Sequence, residues 1–393
     1  MQELKRIINY KRIILLLIAV TVNVVFFLYD NKPVMDEDII NKENVAHETY
    51  IKNYHEEVNA IIDNADKLKK YSIFNKAGSF SYANILQTAR DFERVKNVIL
   101  PEDEYKGVQA YTTYYYQYFF TMLVMMFVIY DMFAQRDNGM WSITYSCANG
   151  RIMYAIKQTG VIVVTGAFTH TLIYWSTFIA AMLQRGGVRD LVNPVQTIET
   201  FDKFTYPWSK IKYVTVLYLI SMVCIVALCI TIWGVFVMFR NRVYALVTML
   251  IFAAVEQFIY SHIDIHSVWN GLHYINIINI ININATFSSY RNWGVGTYVF
   301  PVFSVVLFVH IICAGVIGYI AINVSASMKP YKNTTFIKRF TDCVSAGCQK
   351  ILARIPFLFK EIHKFIFTSH CGWVVVVMLT VTAYVCQTGQ YHY

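Results

Sequence analysis

Charge is scarce in this chain. Lys, Arg, Asp and Glu make up 15% of its 393 residues, where soluble domains carry roughly 25%. With 56% hydrophobic residues and a mean hydropathy of +0.41, that deficit excludes an ordinary water-soluble fold. Cysteine is sparse too. None of the eight falls in a CxxC pair, Cys343 and Cys348 stand five apart, and the polar stretch 30–112 has none. This excludes a standard zinc or redox motif, and a disulfide framework in that stretch. There is no G-x-x-x-x-G-K-[ST] to cradle ATP phosphates and no H-E-x-x-H metalloprotease helix, and no Ser/His/Asp or Cys/His arrangement stands out.

What the chain has instead is long apolar runs, at about 13–29, 113–134, 158–183, 213–238, 243–262, 297–324 and 371–388. In a bilayer core no water pairs with backbone N–H and C=O groups, so a helix of about 20 apolar residues is the economical crossing. The expected fold is an all-α polytopic membrane bundle of about seven spans, with a small helical extracellular domain between spans one and two. A membrane β-barrel would alternate over ten-residue segments instead. Residues 1–29 begin basic (Lys5, Arg6, Lys11, Arg12), but their apolar run is long for a signal peptide and leads into Leu28-Tyr29-Asp30-Asn31-Lys32, not a small-residue cleavage site. They read as a retained first helix preceded by a short interfacial segment.

The connectors are sorted by charge. With a cytoplasmic N-terminus, the inner pieces (1–12, 135–157, 239–242, 325–370) hold 17 basic and 4 acidic residues, and the longer outer pieces (30–112, 184–212, 263–296) hold 17 basic and 19 acidic. This is the positive-inside pattern of a cell-membrane protein. It assigns the net charge of +9 to the lipid surface and not to nucleic acid.

Along the chain, 30–112 reads as two outer helices, over Asn44–Leu68 and Tyr82–Leu100, with a break at Ser72–Ser81. Tyr111–Phe120 is crowded with aromatics where span two leaves the outer headgroups, which predicts a belt of rings at the water–lipid boundary. In 263–296, Asn276, Asn279, Asn282 and Asn284 interleave with isoleucines; this is too polar to cross lipid and too apolar to float free, so it is expected to lie at the outer rim. Residues 325–370 form a basic linker before span seven. Glu3-Leu4-Lys5-Arg6-Ile7-Ile8 is echoed by Glu361-Ile362-His363-Lys364-Phe365-Ile366. The echo is either shared interfacial composition or the start of a second repeat of the kind transporters use.

The order of pieces, with Phe133-Ala134-Gln135-Arg136-Asp137-Asn138-Gly139-Met140 through Asn149-Gly150-Arg151, the stretch Lys67–Val95, and Asn193-Pro194-Val195-Gln196, resembles the permease subunit of ABC-2-type transporters in the form common in Gram-positive bacteria. The resemblance covers 1–324. It departs at Gln135, where that family usually has Glu, leaving only Asp137 acidic. The resemblance implies a coupling loop between spans two and three, formed by Asp137, Gly139, Met140, Trp141, Ile143, Tyr145, Gly150 and Arg151, that docks on a separate ATP-binding subunit. It further implies an exporter built as a homo- or heterodimer of permease halves, with ATP and Mg on the partner and no cofactor or catalytic site on this chain. The plain alternative for the loop is a solvated connector with its aromatics on the membrane surface.

Carboxylates inside spans are expensive. Glu256, beside Gln257, is the one deep in a span, and with His170 and His310 it is the candidate for a substrate path; the alternatives are a structural pair or a protonated acid near the outer interface for Glu256 and hydrogen-bonded packing groups for the two histidines. His262, Asp264 and His266 alternate and offer no fourth ligand, so no metal site is expected. Two functions follow. The first is a transporter permease, and the second a membrane-anchored sensor or scaffold whose outer helical domain binds a ligand or partner without transport.

Overall fold

The computed structural model describes residues 10–33, 36–71, 76, 78–101, 106–137, 150–239, 241–263, 267 and 269–327. The linker from 329 and span seven belong to a separate unit and lie outside these residues, as do the first nine residues and Met140 through Asn149.

Among the described residues six helices are long and apolar enough to cross a membrane: α1 (Tyr10–Asp30), α5 (Tyr116–Asp137), α6 (Gly150–Arg185), α7 (Lys210–Met238), α8 (Arg242–His262) and α12 (Val302–Ala326). The starts of α7 and α8 are set by side-chain caps. Ser209 accepts from the Lys212 N–H and Asn241 from the Val243 N–H, each satisfying a donor the helix leaves open. Gly186 and Gly187, with φ of 71° and 107°, stop α6, since L side chains rarely adopt that conformation.

Helix α7 is the centre of the bundle: 61% of its most apolar window is buried, against 11% for α8. It packs along α12 through small residues. A Cβ on Gly234 would lie 2.4 Å from Cγ2 of Ile317, and one on Gly318 would lie 3.0 Å from Cγ2 of Ile230. Ala314, Gly318, Ala321 and Ser325 are the buried positions of α12's middle and end, a small-residue stripe that lets backbones approach without help from water. The rest of α12 and most of α1 expose apolar side chains such as Leu17, Val25, Phe308 and Val316, as lipid-facing helices do.

The three connectors expected on one side of the membrane pack together into one lobe. Its base is α2 (Glu37–Leu68), capped by Asp36, and α3 (Phe80–Glu93), capped by Ser79. They meet through buried Tyr54, Val58, Phe92 and Val95. Tyr50 OH donates to Gln196 O at 2.8 Å, tying α2 to the loop after α6. Tyr290 OH donates to Asp91 at 3.0 Å, tying α3 to the connector before α12. A short helix α4 (Gly107–Thr113) returns the chain to α5.

The structure revises several boundaries. The first outer helix starts at Glu37 and the second ends at Glu93. Span two starts at Tyr116 because Tyr114 is extended. Span six starts at Val302 because Tyr298–Pro301 form strand β2, paired with β1 (Asn292–Val295). The Asn/Ile run folds into short helices α9 (Asn270–Ile275), α10 (Ile278–Ile281) and α11 (Ile283–Ser288). Its alternation has a reason. Asn279 Nδ2 donates to the carbonyls of His273 and Tyr274, and Asn284 Nδ2 to that of Thr112. These bonds satisfy backbone groups between helices while Ile280 and Ile283 are buried.

The aromatic stretch also differs from expectation. Tyr111, Tyr114 and Tyr118 are wholly buried and do not face the headgroups. Tyr111 meets Tyr174 and Phe178 edge-on at 5.3 Å, and Tyr114 meets Phe27 at 5.0 Å. Neighbouring helices and not only depth decide where these rings point.

Candidate functional site: a polar file inside the bundle

Polar side chains are spaced three and four apart on the inner faces of α6 and α7, at His170, Tyr174 and Thr177 and at Tyr218 and Ser221. That spacing stacks them on one side of each helix. Helix α5 faces them with Gln117, Tyr118 and Thr121, all buried.

His170 is the middle of the file. Its Nε2 lies 2.8 Å from Ser221 Oγ. Ser221 Oγ donates its one proton to the Tyr218 carbonyl at 3.0 Å, so the Nε2–H is the donor in the His170 contact and Nδ1 is a bare acceptor. The imidazole is sandwiched by Tyr218, with planes 6° apart, and Tyr118, 26° apart, both at 5.9 Å, and Tyr174 meets it at 5.4 Å. Tyr174 OH donates to Val214 O at 2.7 Å, and Thr171 and Tyr218 hydroxyls lie 2.8 Å apart.

The file reaches toward the lobe. Tyr213 OH donates to Asn284 Oδ1 at 2.6 Å. A side branch reaches α1, where Asn23 Nδ2 donates to Thr177 Oγ1 at 2.7 Å and Asn23 Oδ1 accepts from Tyr114 OH at 3.1 Å.

Two buried acceptors in or beside this file, His170 Nδ1 and Gln117 Oε1, have no hydrogen-bond partner among the described residues, and the Tyr111 and Tyr118 hydroxyls have only poorly directed polar neighbours, Tyr174 and Gln117 for the first and Ser221 for the second. In an apolar surround each unmade bond costs of order 1–3 kcal/mol. Burial holds the Tyr111 phenol well above its usual pKa, so it stays a neutral O–H. Neutral donors and acceptors are therefore held beside aromatic faces, with spare bonding capacity and no fixed charge.

The expected substrate-path residues separate into two places. His170 belongs to the file. Glu256 is on α8, where Oε2 accepts the Ile277 N–H at 3.0 Å and the main-chain carbonyl accepts from Asn276 Nδ2 at 2.7 Å. It fastens the turn before α10. His310 on α12 is within Coulombic reach of Glu256, and its Nδ1 lies 2.8 Å from Val306 O. Gln257 is half-buried beside them.

Of the coupling loop, Asp137 is the last residue of α5, and Gly150 and Arg151 open α6. Gly139, Met140, Trp141, Ile143 and Tyr145 lie outside the described residues. Next to the loop's departure, Arg12 pairs with Asp131 and the Arg242 guanidinium sits 4.6 Å from the Tyr130 ring centre. Thus α1 and α8 both hold the end of α5. No group of three metal-ligating side chains occurs among the described residues; Asp264 and His266 lie outside them.

Asn23, Gln117 and Ser221 were not singled out from sequence, and Tyr118 only as one ring of the aromatic stretch expected at the water–lipid boundary. Asn23 was accessible to the rule applied to Glu256, because it is a lone amide in the apolar run Ile13–Leu28.

No family model matches the chain, and neither a curated protein nor a solved structure does.

Proposed function

We propose that this chain is the permease subunit of an ATP-driven, ABC-type membrane exporter, with its N-terminus cytoplasmic and its lobe extracellular. It works as one half of a homo- or heterodimer. The observation that carries the reading is the polar file: neutral hydrogen-bonding groups with unmet capacity, enclosed by apolar spans and connected to the lobe. Polar groups at such depth are a cost that a purely anchoring bundle avoids, and a route for cargo uses them. The positive-inside charge pattern supports the orientation. The resemblance of 1–324 to ABC-2-type permeases supports the coupling. The described ends of α5 and α6, Asp137 and Gly150, are the ends of those helices remote from the lobe, which supports a coupling contact there with a subunit carrying ATP and Mg. Closure of that subunit biases the bundle between inward- and outward-open states.

Affinity purification of the full chain from its native membrane in mild detergent tests the proposal. A nucleotide-binding chain recovered in stoichiometric amount is the expected result. An intact chain without one favours the second reading, a membrane-anchored sensor or scaffold. That reading draws its support from the lobe, in which three separate connectors join into one packed unit.

A further inference from the structure

We propose that the hairpin β1–β2, together with α9 and the end of α8, forms an aromatic foot that seats in the leaflet on the lobe's side, its partner being phospholipid at the boundary of headgroup and acyl chain. Cross-strand partners of an antiparallel pair project to one face. Trp293 and its partner Phe300, with Tyr298 two positions before Phe300 on β2, therefore make one apolar face. The other face is closed by the lobe, since a Cβ on Gly294 would stand 2.3 Å from the Phe80 ring. The apolar face is open, with Tyr298 72% and Phe300 43% exposed. Trp269 and Leu272 of α9 and Phe258 of α8 are also exposed, by 68%, 50% and 60%. Trp293 lies 3.3 Å from where a Gly271 Cβ would stand, which joins α9 to the hairpin. The Asn276–Glu256 bond joins α9's end to α8.

Three observations identify the occupant as lipid. Phe300 precedes the first residue of α12 by two positions, about 7 Å of strand, so the foot stands at the level where that span enters the bilayer. Helix α12, which follows β2 directly, itself exposes apolar side chains such as Phe308 and Ile311. The stretch 267–301 carries a single charged residue, Arg291, while Trp and Tyr combine an apolar body with a polar tip, the chemistry that boundary selects. The inference rests on the helices crossing a membrane and not on the pump, so it survives or fails independently of ATPase capture.

The test is quenching in phosphatidylcholine vesicles holding the full chain. The emission of Trp269 is the difference between the wild type and Trp269→Phe. Lipid brominated near the headgroup end of its chains is expected to remove more than half of it, and aqueous iodide almost none. Quenching by iodide without quenching by bromolipid overturns the proposal. So does protection from both, the result a second copy of the chain seated on the foot would give. Tyr298→Trp, made in the Trp269→Phe chain, moves the probe to the hairpin, and its remaining bright in bromolipid also overturns the proposal.

Discussion

Replacing Ser221 by Ala should destabilise the bundle more than replacing its larger partner His170 by Leu. The Ser221 hydroxyl accepts from His170 Nε2–H at 2.8 Å and donates to the Tyr218 carbonyl at 3.0 Å. Ser221→Ala leaves the imidazole N–H without an acceptor at a site 1% exposed, adding a second orphan to Nδ1. A buried donor left unpaired costs about 1–3 kcal/mol, although intramembrane hydrogen bonds measured by double-mutant cycles reach only about 1.7 kcal/mol. About 1–2 kcal/mol is therefore expected. His170→Leu removes donor, acceptor and both penalties together and leaves an apolar group between the rings of Tyr118 and Tyr218; its cost is expected below about 1 kcal/mol. In the His170→Leu background Ser221→Ala has no imidazole to orphan, so the double variant should match His170→Leu closely. The assay is reversible unfolding of the chain from mild micelles by added SDS, followed by helical circular dichroism. Additive effects, or a His170→Leu variant less stable than Ser221→Ala, would refute the network as drawn.

Gly234→Leu should cost about 1–3 kcal/mol or more through overpacking, because even a Cβ there would stand 2.4 Å from Ile317; lowered thermal stability in detergent, with Gly315→Leu near wild type, checks it. In the lobe, burial pushes the Tyr290 phenol up to about 12. A group whose folded pKa is raised favours the folded state below the unfolded value near 10 and loses that contribution as pH rises through the folded one. The lobe should therefore weaken between about pH 10 and 12, seen as tyrosinate absorbance rising together with loss of lobe helix, and Tyr290→Phe should flatten part of the change. Glu256→Gln keeps an acceptor for the Ile277 N–H, so it should preserve the fold, whereas Glu256→Ala should loosen α9–α11, read as faster amide exchange there.

The six described spans were legible because long apolar runs are written in composition: Leu217–Val237, for example, carries no charged residue. The lobe's helices were legible from their apolar periodicity and caps. Facing was not. Tyr111, Tyr114 and Tyr118 carry the composition of an interfacial belt, yet neighbours in α1 and α6 draw them inward, while Tyr298 and Phe300 of the hairpin are exposed. The strand before α12 was hidden because Tyr-Val-Phe-Pro reads equally as the start of an apolar run. His170 was visible as an intramembrane polar group, but its partners Ser221 and Tyr118 sit on other helices, and no local spacing ties them together. Glu256 could be singled out as a path residue or a structural pair, but its bond partner, the Ile277 N–H 21 residues along the chain, could not be read from the sequence.

The most direct test of the account is site-directed photo-cross-linking from Trp141→Cys, labelled in native membranes with a cleavable benzophenone. The pump account predicts one dominant adduct, an ATP-binding subunit, formed while a protease added to intact cells reaches the lobe and leaves the Met140 region untouched. A complex intact by size that yields no ATPase adduct, or a protease that clips near Met140 and spares the lobe, would contradict it.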